Sequence, residues 1–584
     1  MKHLNAFFII LMLLASSIGA SQALTTSPVH TSSDRITAST PVVKLTMDGT
    51  EVSIAEATSY ANLPGTPLLP RITKVFTFPL GTRIQSVQFV TSLSTTIALP
   101  APLVLASEST PLDGSLPSST HEASHGNIQV QCSYRLGAGL QGTQHVLFVL
   151  VDFYPCMTLS ESKTLTFTPS VQVTISYEPP QQTPKTTGAY DAVIIAPQAY
   201  STALQPLITH KHLMGVEMLL LTVENITASY PGRDVPEKIK YAIKDTIETD
   251  GVTSVLLVGG VDVLPIRSCQ GMEWMGNVIT DLYYADVYDA NGSFSSWDAN
   301  NNNIFGEDAD HMDLFPDVRL GRLACASTTE VNTVVDKIIQ YETKTYGSDW
   351  FKTMIFIGGN TFRWSPGNDG EQLNLIIHNI MTNFTPIYIW TSKGNFNRKT
   401  ISNTISQGAG FVDYSGHGFE NGMGTYTPLG THMETYLIQY VKDLKNGNKL
   451  PIIFFDACLT AKIDYILQDL LNYRIYSPFN LLAKIMHVNT SVRKTCFAWS
   501  FLTQQGGGAV ATIGATRTAF GGIDDGAGKI AIEFFQCYNT STYLGEMITG
   551  MQEGYIRDVP GDNFTVQEFM LLGDPTLRIG GYPN

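Results

Sequence analysis

Two textures of apolar and polar positions divide the chain. From residue 24 to about 178, short runs such as Val43–Met47, His145–Phe153 and Val171–Tyr177 are punctuated by Pro, Gly and Ser turns. This pattern predicts an all-β, sandwich-like domain. A polar, Pro-rich stretch over 179–188 then reads as a linker. Beyond it, apolar runs at 191–196, 217–222, 254–258, 353–358, 387–391, 410–414, 451–455 and 509–513 alternate with helical spacing near 232–248, 329–344 and 528–537. Such alternation predicts an α/β domain with a largely parallel sheet flanked by helices.

Two of these apolar runs end in reactive side chains. Gly410-Phe-Val-Asp-Tyr-Ser-Gly leads into His417 and Gly418, and Leu450-Pro-Ile-Ile-Phe-Phe-Asp-Ala leads into Cys458. Between them, Met433, Leu437, Val441 and Leu444 recur at helical spacing, so a crossover helix is expected to set the two strands side by side. A thiol is a strong nucleophile only as the thiolate, and a nearby imidazole commonly takes its proton. Either residue alone fits a turn histidine or a core cysteine. Their matched strand-end positions favour a cysteine hydrolase, with Cys458 as nucleophile, His417 as base and acid, and backbone N–H groups near Gly418 and Cys458 as the oxyanion hole. No cofactor is expected for that chemistry.

With 584 residues and 43% hydrophobic content, the chain has material for two or three packed domains. A formal net charge of -15 argues against nucleic acid or anionic membrane as a partner. Met1-Lys-His, an apolar Phe7 to Leu14 and a small-residue Ser21-Gln-Ala23 site predict a signal peptide over 1–23. No later run is long enough to span a bilayer, so the mature protein is expected to be secreted without a transmembrane anchor. Seven cysteines leave Cys132, Cys156, Cys269, Cys325, Cys496 and Cys537 once Cys458 is set aside. Neighbour pairing would join Cys132 to Cys156, Cys269 to Cys325 and Cys496 to Cys537, one of fifteen possible connectivities.

His-Gly after one strand and Ala-Cys after a later one resembles the dyad of caspase-like cysteine peptidases, in particular the gingipain family. Pro64-Gly-Thr-Pro-Leu-Leu-Pro70 resembles the start of gingipain propeptides. Tyr190–Ala196 resembles the first catalytic strand, and Phe315–Arg322 and Leu572–Leu577 are further matches. The resemblance implies two α/β catalytic subdomains, here 189–345 and 346–584, behind a propeptide domain over 24–178. It also implies a zymogen that cleaves protein or peptide substrates and is inhibited by its own propeptide. Lys185 is the one basic residue in the linker and the expected processing site. Gingipains place an acid after a strand reading Ile-x-Gly to orient the imidazole. That position falls on Asn360 or Thr361 here, and the Asn360 side-chain carbonyl is the candidate. The lysine-preferring gingipain's pocket aspartate aligns with Asp524, beside Phe520, which implies a preference for Lys or Arg before the scissile bond. Arg517 in the same loop weakens that inference, and the arginine-preferring enzyme's pocket acid falls near Leu373.

Asp298, Asn300, Asn302, the Ile304 carbonyl and Glu307 or Asp308 resemble a calcium loop with shortened spacing, so a structural Ca²⁺ is expected. His121-Glu-Ala-Ser-His125 matches a zincin pattern, but its Pro- and Gly-rich flanks disfavour the helix that chemistry needs. The alternative class is a catalytically silent, calcium-stabilised cell-surface binding protein of the same fold.

Overall fold

The computed structural model describes residues 29–583 except 62, 107–108, 113–129, 159–161, 181–187, 273, 364–366, 473–485 and 487. The signal peptide, the His121–His125 motif and Lys185 lie outside the described residues. The N-terminal part is all β. His30–Thr37, Ser170–Glu178 and Arg83–Thr91 form one antiparallel sheet, and Ser59–Tyr60, Pro70–Pro79, Gln144–Phe153 and Cys132–Gln141 form another. Their inward residues, among them Leu147, Val149, Val151, Val171 and Val173, bury a separate core.

The rest of the chain is built on one ten-stranded sheet. Its order in space is Met218–Thr222, Ala192–Ala196, Ser254–Val258, Arg319–Leu323, Phe569–Leu572, Ala511–Ala515, Ile452–Asp456, Phe411–Ser415, Thr353–Gly358 and Thr385–Trp390. Strands such as Ala192–Ala196 and Ile452–Asp456 are buried at every position, as strands covered by helices on both faces must be. The helices carry their own end signals. Val235–Asp250 starts at Asp234, whose side chain accepts from Glu237 N–H, and stops at Gly251, which takes φ 78°.

The sheet has two halves, and Phe569–Leu572, from the expected second subdomain, completes the half built by the first. Each half is internally parallel, and they meet where Phe569–Leu572 runs antiparallel to Ala511–Ala515. Beside this seam, Arg319–Leu323 approaches the end of Phe569–Leu572 closely on glycine. A Cβ at Gly321 would stand 2.4 Å from the Gly573 carbonyl oxygen.

Two expectations are corrected. The segment Met433–Leu444 is not a crossover helix: Met433–Leu437 is a strand paired with Gly422–Tyr426, followed by one helical turn over Ile438–Val441. Fully buried Tyr436, whose hydroxyl meets Ser402 at 3.0 Å, anchors that strand. None of the expected disulfides forms, and Cys132, Cys156, Cys269, Cys325, Cys496 and Cys537 are thiols. Cys269 packs on Gly306, Cys537 packs on Gly550, and Cys325 and Cys496 line one small cavity instead. Burial pushes the Cys496 thiol up to about 12, which makes it an inert core residue.

The β domain is docked on the sheet by buried polar contacts. Arg71, 1% exposed, donates to the Asp558 carbonyl at 2.6 Å, and Arg135 donates to the Ile556 carbonyl at 3.0 Å. These guanidinium groups satisfy the last carbonyls of the Leu544–Asp558 helix, where positive charge is favoured. Beside them Gly137 faces the ring of Phe315, which a Cβ would meet at 2.3 Å.

Candidate active site

Phe411–Ser415 and Ile452–Asp456 are neighbouring parallel strands in register, with Ser415 opposite Asp456. Each chain turns immediately after. Gly416 takes φ 156°, and its N–H bonds the Asp456 carbonyl at 3.2 Å, so His417 leaves the sheet beside Cys458. Gly418 is required by proximity: a Cβ there would lie 2.0 Å from the Cys458 carbonyl oxygen and 2.9 Å from its nitrogen. After Cys458, Leu459 adopts φ 55°, a strained backbone for a branched side chain, and its N–H bonds the Arg517 carbonyl at 2.9 Å.

His417 and Cys458 are both buried. The His417 Nε2 lies 2.7 Å from the carbonyl oxygen of Thr361. This contact replaces the one expected from Asn360. Asn360 pairs through its backbone with Tyr426, and its Oδ1 is buried without a hydrogen-bond partner. The Thr361 N–H is held at 2.8 Å by Asp369 Oδ1, at the start of the Asp369–Ile380 helix. Around the thiol, the Ala519 N–H reaches Sγ at 3.3 Å and the Ala519 carbonyl lies 3.5 Å from it.

The β domain reaches this same place. The Leu112 N–H donates to the Ala519 carbonyl at 2.8 Å, and Thr110–Pro111 pairs antiparallel with Phe520–Gly521. Ser109 donates its hydroxyl to Asp525 Oδ2. Burial is the main reason the Asp525 carboxyl is pushed up to about 6, with Asp562 and Asp524 adding and Ser109 opposing. Between this strand and the sheet lies a cavity of about 450 Å³, lined in part by Leu112, Leu373, Asp369, Asp456, Asp524 and Asp525.

Of the predicted pocket residues, Asp524 and Leu373 line the cavity, whereas Phe520 lends its backbone to the Pro111 pairing and turns its ring to Trp274 and Phe564. Arg517 does not neutralise the loop, because Asp464 takes its guanidinium at 2.8 Å. Sequence reasoning named Thr361 only as an alternative position for an orienting side chain and missed its main-chain carbonyl, and it missed Ala519. It also passed over Asp456, although Asp-Ala-Cys458 was in plain view.

The expected calcium loop closes on itself. Asn301 and Asn303, at φ 59° and 65°, turn the chain so that the amides of Asn300 and Asn302 both reach Glu307 Oε1, the latter at 2.7 Å. Asp298 accepts from the Asn302 N–H at 2.9 Å and pairs with Arg233. The amide orientation is fixed, because Asn300 Oδ1 accepts the Asn302 N–H at 3.0 Å and Asn302 Oδ1 accepts the Ile304 N–H at 2.7 Å. A cation bound at Glu307 would require both amides to give up these bonds and turn their oxygens inward, and Asp298 is already held by Arg233. Among the described residues no group of three His, Cys, Asp or Glu side chains could hold a metal ion.

Several known proteins resemble this chain. Gingipain R2 of Porphyromonas gingivalis (strain ATCC BAA-308 / W83) is 24% identical over 279 residues, covering 47% of this chain and 32% of the relative. Lys-gingipain HG66 of Porphyromonas gingivalis is 22% identical over 278 residues, covering 47% and 14%. The chain thus spans about a third or less of the length of these curated relatives. Among solved structures, the Arg-specific cysteine proteinase gingipain R shares the fold, with a TM-score of 0.50 at 19% identity over 68% of this chain and 80% of the other. The model of peptidase family C25 matches residues 185–580, well over half of the sequence, and this chain belongs to that family.

Proposed function

We propose that the protein is a secreted cysteine endopeptidase made as a zymogen, with Cys458 as nucleophile and His417 as general base and acid. The observation that carries this reading is that Leu112 of the β domain lies hydrogen-bonded to Ala519, the residue touching the Cys458 sulfur. Thr110 to Leu112 run antiparallel to Ala519–Gly521 as an extended substrate would. The β domain then acts as an inhibitory propeptide that covers the nucleophile until the 179–188 linker is cut, with Lys185 as the site.

In this mechanism Nε2–H of His417 donates to the Thr361 carbonyl, and Nδ1 is the ring nitrogen that takes the thiol proton. The thiolate adds to the peptide carbonyl carbon, and amides near Gly418 and Cys458 stabilise the oxyanion. The intermediate collapses to a thioester as His417 returns its proton to the leaving amine. Water, deprotonated by His417, then releases the acid and the free enzyme. Arg or Lys before the scissile bond is the preferred substrate class, in keeping with the acidic cavity wall. Calcium, held by Glu307 and by Asn300 and Asn302 with their amide oxygens turned inward, would brace the loop after Trp297 and takes no part in the chemistry. Secretion follows from the Met1–Ala23 signal, and no helix among the described residues is long and apolar enough to cross a membrane.

The deciding experiment compares casein hydrolysis by the linker-cleaved wild type and Cys458→Ala. Loss of all hydrolysis in the variant is expected. Equal activity would refute the assignment.

A further inference from the structure

We propose that Asp456, steadied by Ser415, is the carboxylate that recognises a basic side chain before the scissile bond, in place of the aligned Asp524. The proposal rests on the peptidase reading and names the residue that would set its specificity.

The β-domain strand fixes the register. Leu112 bonds Ala519, Pro111 stands opposite Phe520 and Thr110 opposite Gly521. Because Ala519 also touches the Cys458 sulfur, the residue bonded to Ala519 occupies the place of the substrate residue whose carbonyl is attacked. Leu112, whose side chain packs against Gly521, lines the 450 Å³ cavity, which is therefore the one that would receive the substrate's specificity side chain. Its lining holds four aspartates and no Lys, Arg or His.

The four differ in what their oxygens already do. Asp369 is engaged by the Thr361 N–H, and Asp525, bonded by the Ser109 hydroxyl only in the intact chain, lies in the loop before the Gly526–Gln536 helix and not on the sheet. Asp524 is exposed, so its charge is screened by water and salt. Asp456 is 3% exposed; its Oδ2 accepts the Ser415 hydroxyl at 2.6 Å, while its Oδ1 has no partner. A buried carboxylate oxygen with nothing to accept from calls for a donor, and a guanidinium or ammonium entering the cavity supplies one. Asp456 also ends a central strand two residues before the nucleophile. Rigid placement of that kind discriminates better than a loop carboxylate. Burial, opposed by the Ser415 hydroxyl, pushes Asp456 up to about 7, so an arriving cation finds a group ready to ionise.

The test uses the Cys458→Ala protein cut at the 179–188 linker and freed of its β domain, so that Leu112 no longer lines the cavity, and calorimetric titration with N-acetyl-arginine amide against N-acetyl-citrulline amide, which has the same shape without the charge. The arginine compound is expected to bind at least tenfold more tightly. Adding Asp456→Asn should bring the two within twofold, and adding Asp524→Asn should leave the preference within threefold of its starting value. A preference that survives Asp456→Asn, or that vanishes in Asp524→Asn, overturns the proposal. Should Asp456→Asn not fold, Ser415→Ala frees the carboxylate without removing it; a severalfold loss of preference supports the assignment and an unchanged preference refutes it. Because this readout needs no turnover, casein hydrolysis that proved independent of Cys458 would sink the peptidase reading and leave the binding result standing.

Discussion

The imidazole of His417 is oriented by the main-chain carbonyl of Thr361, 2.7 Å from Nε2, and not by an acidic side chain. Because Asp369 holds the Thr361 N–H at 2.8 Å, the carbonyl is fixed from both sides of its residue. Neighbouring Asn360 contributes only its backbone to Tyr426 and Thr425. Asn360→Ala should therefore lower kcat by less than about tenfold, against the roughly 10⁴-fold typical when an orienting carboxylate is neutralised. Steady-state kinetics on a fluorogenic peptide decides; a thousandfold loss would return the orienting role to Asn360.

The β domain should be released by breaking its buried arginine contacts. Arg71 joins Ser59, the Asp558 carbonyl and, at 3.8 Å, Asp152, all within the domain interface. Removing one partner of a buried pair typically costs about 3–5 kcal/mol. Arg71→Ala is expected to lower the unfolding midpoint and raise the activity of the chain with its linker intact. If the intact variant stays as latent as wild type, Arg71 is not part of the clamp.

Stability should fall as pH rises through the neutral range. Burial, opposed by Asn374 and reinforced by Asp456, pushes the Asp413 carboxyl up to about 8. Burial likewise pushes Asp456 to about 7. Between pH 4 and these values the unfolded chain is ionised while the folded chain keeps its protons, so each step upward favours unfolding. Burial pulls Lys337 down to about 7, which adds the opposite slope only above that pH. Thermal unfolding is predicted to give a higher midpoint at pH 5 than at pH 7, with Asp413→Asn flattening the difference. A midpoint that climbs over this window would contradict the neutral state of the pair.

Calcium should act on stability alone. A ligand at a hundredfold excess over its Kd stabilises the folded state by about 2.7 kcal/mol. Chelation is expected to lower the midpoint of wild type by a few degrees and leave Asn302→Ala unmoved, since Asn302 and Asn300 converge on Glu307. Equal midpoints with and without chelator would mean that the loop is closed by its own hydrogen bonds.

What the sequence disclosed depended on the kind of interaction. The strands ending at Ser415 and Asp456 were legible because buried parallel strands are largely apolar, with Asp413 the interior exception. Arg319–Leu323 was missed because it carries Arg322, which is fully buried and pays its desolvation through a 2.6 Å contact with Asp281. Met433–Leu444 misled because four apolar residues at helical spacing also suit a strand followed by a turn. The Thr361 carbonyl was hidden for a different reason: side-chain identity says nothing about where a carbonyl points. Asp456 was visible as a residue, but its role depends on a cavity assembled from segments more than three hundred positions apart.

If Leu112 occupies the substrate position, its chemistry explains why the β domain blocks the site without being consumed. An isobutyl side chain lines the cavity yet offers nothing to Asp456, so the strand binds by its backbone and the preferred charge is missing. Leu112→Arg supplies that charge and should turn the blocking strand into a substrate. The linker-intact variant is expected to be cut between residues 112 and 113, giving a new N-terminus at Asp113, while wild type is not cut there. The same substitution in a Cys458→Ala background should abolish the cut, which excludes a contaminating protease. A Leu112→Arg chain that is neither cut at that bond nor more tightly latent than wild type would show that the side chain at position 112 does not face the specificity pocket.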